Sequence, residues 1–484
     1  MELKDLIGLL FLAVAIPAVV AVVYHSERAR DAAFVVMVFS CVISDRLGIN
    51  FISDYWYYRG STRGFEFCLS DVLALGILAA SILAPKEGES RWYWPAGLGF
   101  MILYFLYCCF SVTISDPKLF GLFELSKIAR GIVIFVATAL YVRGERQLKF
   151  LVWALVGTVA VEGLMAVKHR FILGLDRVPG TLSHPNSLSM YLCAVTPVLM
   201  AAASSSFGKG LRIWAGLCVG AATVTVLLTL SRAGIPIFGL VVLGTAVWGI
   251  SLRITLRKLM GFLAVSAVAA VLLFRSWDTL KDRFEGSDLK EEYSKSNFES
   301  RGFYLWITHE IAAERFWGLG LNNWSWWVSS VYGPRLGVPY IGYPAESEAP
   351  SKDSPYDLGF APPAHCLAAL TLGELGQVGA WIFAILWLRW LQMGASFLWR
   401  RSPDPEHRLG VGIFFGTCGV FLQSITEWVY RQTSIFLTVH ILLGVLASLY
   451  YLKRNARRME RTCVDTGGEE AELVAEGESL EAVH

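Results

Sequence analysis

Apolar runs of 18 or more residues recur along nearly the whole of this 484-residue chain, and each can cross a hydrocarbon core about 30 Å thick. Nothing constrains the fold more. Only 17% of the residues are charged, against about a quarter in a soluble protein, and the runs are where the charge is missing. A soluble enzyme, a disordered chain and a secreted disulfide scaffold are all excluded. The nine cysteines fall mostly inside apolar runs, without CxxC spacing, so neither a disulfide framework nor a zinc site is expected. The net charge of +2 includes no basic stripe of the kind that binds nucleic acid. The fold class is therefore all-α, a polytopic membrane helical bundle.

The runs cover approximately 6–24, 31–48, 67–84, 94–112, 119–142, 148–168, 187–206, 211–230, 233–251, 258–275, 376–399, 409–428 and 434–452. They make twelve or thirteen transmembrane helices, depending on whether one short run spans or re-enters. The first run has its basic residues, Arg28 and Arg30, after it and shows no cleavage site, so it reads as a retained span. Among the short loops, one alternate set holds twenty Lys and Arg and the other ten. The richer set faces the cytoplasm, with the N-terminus outside and the C-terminus inside.

Four regions follow: an N-terminal bundle of about ten helices over 1–275, a large extracytoplasmic loop over 276–362, C-terminal membrane helices over 363–460, and a disordered acidic tail over 461–484. The loop begins charged, continues through a helix-like stretch from Arg301 to Arg315, then becomes aromatic and proline-punctuated, from Pro334 to Pro363. It is expected to cap the bundle.

Polar clusters concentrate on the outer side. Arg177-Val-Pro-Gly-Thr-Leu-Ser-His184-Pro-Asn186 precedes one span, and Ser231-Arg232-Ala-Gly234 makes a tight turn between two apolar helices. Ser300-Arg301-Gly-Phe-Tyr304 leads through His309 to Trp317-Gly-Leu-Gly-Leu-Asn322-Asn323-Trp324, and Pro362-Pro363-Ala-His365 leads to Glu374-Leu-Gly376. A guanidinium beside apolar helices is costly unless it meets an anion or snorkels to the headgroups, and its donor fork suits phosphate. Arg177, Arg232 and Arg301 together fit a diphosphate clamp. His365 can accept a proton from a sugar hydroxyl or cap its helix. His184 reads equally as a helix-start signal, and His309 as a packing or solvated residue. Glu124, Lys127 and Arg130 share a helix face and form either a bundle salt-bridge network or a polar headgroup cavity, which Glu427 and Arg431 can join. Trp324, Trp326 and Trp327 stack on sugar rings or belong to an interfacial belt.

These motifs resemble the O-antigen ligase and Wzy-type polysaccharide polymerase superfamily over about residues 170–400. The resemblance rests on Arg177 to Asn186, Ser231 to Gly234, Arg301 to Asn322, and His365 with Glu374 and Gly376. It implies a GT-C-like membrane glycosyltransferase of the bacterial inner membrane that works without metal or other cofactor. An undecaprenyl-diphosphate-linked glycan would be the donor, and lipid A-core or a second lipid-linked glycan the acceptor, at the periplasmic face. Carried over by motif, Arg232 and Arg301 hold the diphosphate and His365 activates the acceptor. Arg177, His184, Asn186, Glu374, Trp324 and Lys127 are assigned to substrate binding. The family often has His-Asn where this chain has His365-Cys366, so a supporting amide must come from elsewhere. The alternative is a lipid-linked glycan flippase or other transporter, which needs polar groups at mid-membrane.

Overall fold

The computed structural model describes residues 3–44, 48–53, 58–84, 92–249, 300–338 and 360–456, with isolated positions between 267 and 294. All but isolated positions of the predicted span 258–275, together with Pro339, Pro344, Pro350, Pro355 and the acidic tail, lie outside the described residues. The described chain is mostly helical. Its bundle helices are α1 (Leu3–His25), α2 (Glu27–Val42), α3 (Leu69–Leu83), α4 (Leu98–Ile114), α5 (Lys118–Tyr141), α6 (Glu145–Val167), α7 (Pro185–Ser204), α8 (Lys209–Thr229) and α9 (Gly234–Gly249). They are followed by α10 (Arg301–Glu314), α11 (Leu367–Ala395), α12 (Pro405–Ser424) and α13 (Thr433–Ala456).

Among the described residues, six helices are long and apolar enough to cross a membrane: those over Asp5–His25, Glu145–Ile172, Pro185–Ser204, Lys209–Thr229, Leu367–Ala395 and Thr433–Ala456. Helices α3, α4 and α9 are shorter but apolar. The most apolar windows of α7 and α13 are 83% buried, against 17% for α1, so α7 and α13 form the centre and α1 lies at the edge. Leu10, Phe11 and Val14 of α1 stand exposed, as expected of a surface whose solvent is lipid.

Helix starts follow the sequence chemistry. Ser26, Ser300 and Asp404 accept hydrogen bonds from the backbone of the first turns of α2, α10 and α12, satisfying donors that have no intrahelical partner.

Three expectations need correction. The predicted span 31–48 stops at Val42, and Gly48–Phe51 pairs antiparallel with Phe65–Cys68, so the chain is not wholly α-helical. Phe, Glu, Phe and Cys alternate in the second strand, the two-residue period of a half-buried ribbon. Span 67–84 accordingly yields Phe67 and Cys68 to that ribbon. Span 376–399 corresponds to a helix that starts nine residues earlier, at Leu367, and is broken at Gly376.

The loops separate to two ends. At one end Arg59 bonds to Phe360, Tyr58 to Asn322, Trp327 to Asp116, Arg177 to Thr229 and Arg301 to Thr426. At the other, Arg30 reaches Ala84, Arg146 reaches Asp31 and Ser206 bonds to Pro403. Of the short loops, the first end carries those poor in Lys and Arg, and the second carries the richer set. Residues 300–338 and 360–366 cap the first end around a small core of their own, with Phe303, Ile307, Leu319, Trp324, Val328 and Ala364 packed on Leu370 of α11.

Gly376 explains the break in α11. Its φ of 66° and ψ of −169° are inaccessible to most L-residues. Backbone from the cap crosses at this point: Leu319 N–H donates to Gly373 O and Gly320 N–H to Glu374 O, both at 2.9 Å, and Gln377 N–H donates to Phe316 O at 3.1 Å. A Cβ on Gly376 would stand 2.1 Å from Phe316 O. Gly376→Ala is expected to cost more than the roughly 1 kcal/mol set by backbone entropy and to lower the melting temperature in detergent. A variant melting with the wild type would show that the cap can shift freely.

Candidate functional site

The site is assembled from segments far apart in the chain, and close helix packing registers them. On α12, Gly416 lets the backbone of α7 approach so nearly that a Cβ there would lie 2.2 Å from Ala194 O, the close contact that small residues permit. That contact fixes the N-terminus of α7, with Asn186, against the loop that follows α12, with Glu427.

Glu427 is the hub. Its side chain is 5% exposed. Oε1 accepts from Asn186 Nδ2 at 2.7 Å and pairs with Arg301 Nη2 at 3.1 Å, while Oε2 faces His365 Nδ1 at 3.3 Å. Arg301 also donates through Nε to Thr426 O at 3.0 Å. Asn186 accepts from Arg177 Nη2 at 3.0 Å, and Gln423 Nε2 donates to its carbonyl at 3.1 Å. His365 itself is 40% exposed and stacks on Tyr304, with centroids 5.8 Å apart and planes at 22°. One buried carboxylate therefore contacts both an accessible imidazole and a guanidinium group. If the Nδ1–H tautomer donates to Glu427, Nε2 carries the free lone pair.

Arg177, Asn186, Arg301 and His365 are thus brought together. Arg232 sits half-buried on the adjoining turn, three residues beyond the Thr229 carbonyl that accepts from Arg177 Nε. His184 caps α7: its Nδ1 accepts from Asn186 N–H at 3.1 Å, with Pro185 at the first helical position.

The other assigned residues lie deeper. Lys127 is fully buried, paired with Glu124 at 2.8 Å and donating to Thr62 Oγ1 and Arg431 O, each at 2.6 Å. Glu374 is buried against Arg431 Nη1 at 2.6 Å. Burial opposes the charge on Arg431, but the Glu374 and Glu124 carboxylates outweigh it and raise its pKa further. Trp324 is fully buried in the cap core, where a Cβ on Gly373 would touch its ring at 2.6 Å. Asn322 adopts φ 56°, which Asn tolerates. Its amide donates to Thr62 O and Phe120 O at 2.8 Å and accepts from Ser61. These groups join the cap to the bundle around an inner ion network.

Glu427 as orienting group and Tyr304 as stacking partner were not assigned from sequence. Tyr304 follows Arg301 by one helical turn and so shares its face, the signal available for it. Among the described residues no group of three or more His, Cys, Asp and Glu is placed to hold a metal ion, and the described cysteines are unpaired. No protein-family model and no curated protein matches this sequence.

Proposed function

We propose that the chain is a membrane glycosyltransferase that moves a glycan from undecaprenyl diphosphate to a sugar hydroxyl, as an O-antigen ligase or a surface-polysaccharide polymerase. The observation that carries this reading is the Glu427 hub, which holds His365, Arg301 and Asn186 (with Arg177 behind it) at one end of a bundle of apolar helices. That end carries the short loops poor in Lys and Arg, which supports a periplasmic site, a cap formed by 300–338 and 360–366 that faces the periplasm, and a cytoplasmic C-terminus in the bacterial inner membrane.

The acceptor hydroxyl attacks the anomeric carbon of the donor sugar. His365 takes the hydroxyl proton through Nε2 while Glu427 holds Nδ1–H. As the new C–O bond forms, the bond to the diphosphate oxygen breaks, and the lipid diphosphate departs with the electron pair. Negative charge grows on that leaving group, so arginines already in position stabilise the transition state more than the ground state. Attack opposite the leaving group inverts the anomeric carbon. A purified reaction yielding the retained anomer would reject this step.

The decisive experiment incubates purified protein with an undecaprenyl-diphosphate oligosaccharide, with and without a lipid A-core acceptor. Ladders without added acceptor identify a polymerase, and a capped acceptor identifies a ligase. A wild-type protein that consumes no donor in either case would reject the proposal.

A further inference from the structure

An apolar groove of about 560 Å³ lies between α6 and α8. Small residues, Ala160, Gly163, Gly220 and Ala221, open it. Leu164 and Leu217, 71% and 58% exposed, keep its side open to the surroundings of the bundle. It runs from Trp214 to Leu228 of α8, about 21 Å at 1.5 Å per residue.

Its upper end leads directly into the site. The segment bearing Arg177 is fastened over that end at three points. Thr181 N–H donates to the buried Glu162 of α6 at 2.9 Å, Val178 N–H to Leu228 O at 3.3 Å, and Arg177 Nε to Thr229 O at 3.2 Å. Leu230, with φ 48°, then turns the chain so that Arg232 follows within four residues of the groove lining. Arg177 continues through Asn186 to Glu427 and His365. The groove is therefore a long hydrocarbon slot with Arg177 bonded beside its upper end and Arg232 on the turn that follows.

We propose that this groove holds the isoprenoid tail of the donor, with its diphosphate at Arg177 and Arg232. The inference rests on the glycosyltransferase reading and adds where the lipid lies. Charge complementarity decides the occupant: two arginines suit a diphosphate, whereas an ordinary phospholipid presents a single phosphate diester. A tail held here brings the anomeric carbon to His365 from within the bilayer, leaving the cap side for the acceptor.

Ala160→Trp and Ala221→Trp fill the groove from its open walls. With the same glycan diphosphate on an undecaprenyl or a short geranyl tail, both variants should raise KM for the long donor about tenfold or more, the worth of a few buried methylenes. KM for the short donor should stay near wild type, which also shows that the variants are folded. Unchanged kinetics on the long donor would overturn the proposal. Binding is read separately with a diazirine-bearing isoprenyl diphosphate that lacks a glycan. It should label peptides of α6 and α8, and unlabelled isoprenyl diphosphate should compete. Labelling elsewhere, or groove labelling by a phospholipid probe that isoprenyl diphosphate fails to displace, would also overturn it. If wild type turns over neither donor, the glycosyltransferase reading falls, and the labelling result alone judges the groove.

Discussion

Replacing His365 by alanine should lower kcat about 10²- to 10⁴-fold, the range a positioned general base supplies, with the purified variant still helical and still binding donor. Glu427→Gln tests whether the carboxylate orients that base. Glutamine keeps the size and can still accept from Asn186, but it removes the charge that holds Arg301 and the Nδ1–H tautomer. A fall in kcat of about 10²-fold with a much smaller change in donor KM is expected, since the loss falls mainly on the transition state. Arg301→Lys should also be poorly active, because an ammonium cannot reproduce a guanidinium fork. Full activity in His365→Ala would remove the base assignment, and full activity in Glu427→Gln would remove the orienting role.

The second large effect concerns stability. Arg431 is 4% exposed, bonded to Glu374 at 2.6 Å and 3.9 Å from Glu124. Arg431→Leu would leave the Glu374 carboxylate buried without its cation, a loss of about 3–5 kcal/mol when one partner of a buried pair is removed. The variant should melt far below wild type in detergent and accumulate poorly in membranes. Adding Glu374→Gln should recover part of the loss, because the uncompensated charge disappears. An Arg431→Leu protein with the wild-type melting temperature would mean that water reaches the network.

The apolar runs made most of the helices legible, because length and hydropathy suffice to define them. The ribbon was not legible: the span reading runs on through Ser44, Asp45 and Arg46 to Gly48, and four residues are too few to show a strand period, so only the pairing of Gly48–Phe51 with Phe65–Cys68 distinguishes it. The first turns of α11 were hidden for the opposite reason. Glu374 and Gly376 read as a loop before a span, whereas cap backbone satisfies the carbonyls that the break exposes. In the site, Arg177, Asn186, Arg301 and His365 each carry a local signal. The group joining them does not, since Glu427 lies 62 residues from His365 and 126 from Arg301. Lys127, Glu374 and Trp324 are of types that serve a substrate or the interior equally well. Only their partners, Glu124, Arg431 and Gly373, reveal that here they bond and pack within the protein.

The crossing of cap and helix at Gly376 also restricts how such a chain can diversify. Gly373 and Glu374 offer carbonyls that their own helix leaves open, and Leu319 and Gly320 supply the missing donors. In a low-dielectric setting each open carbonyl costs several kcal/mol, so neither piece is complete alone. A cap borrowed from a different acceptor specificity would have to bring a matching stretch of α11 with it. Recombination should succeed when the breakpoints enclose residues 316–377 together and fail when they fall between Asn322 and Gly373.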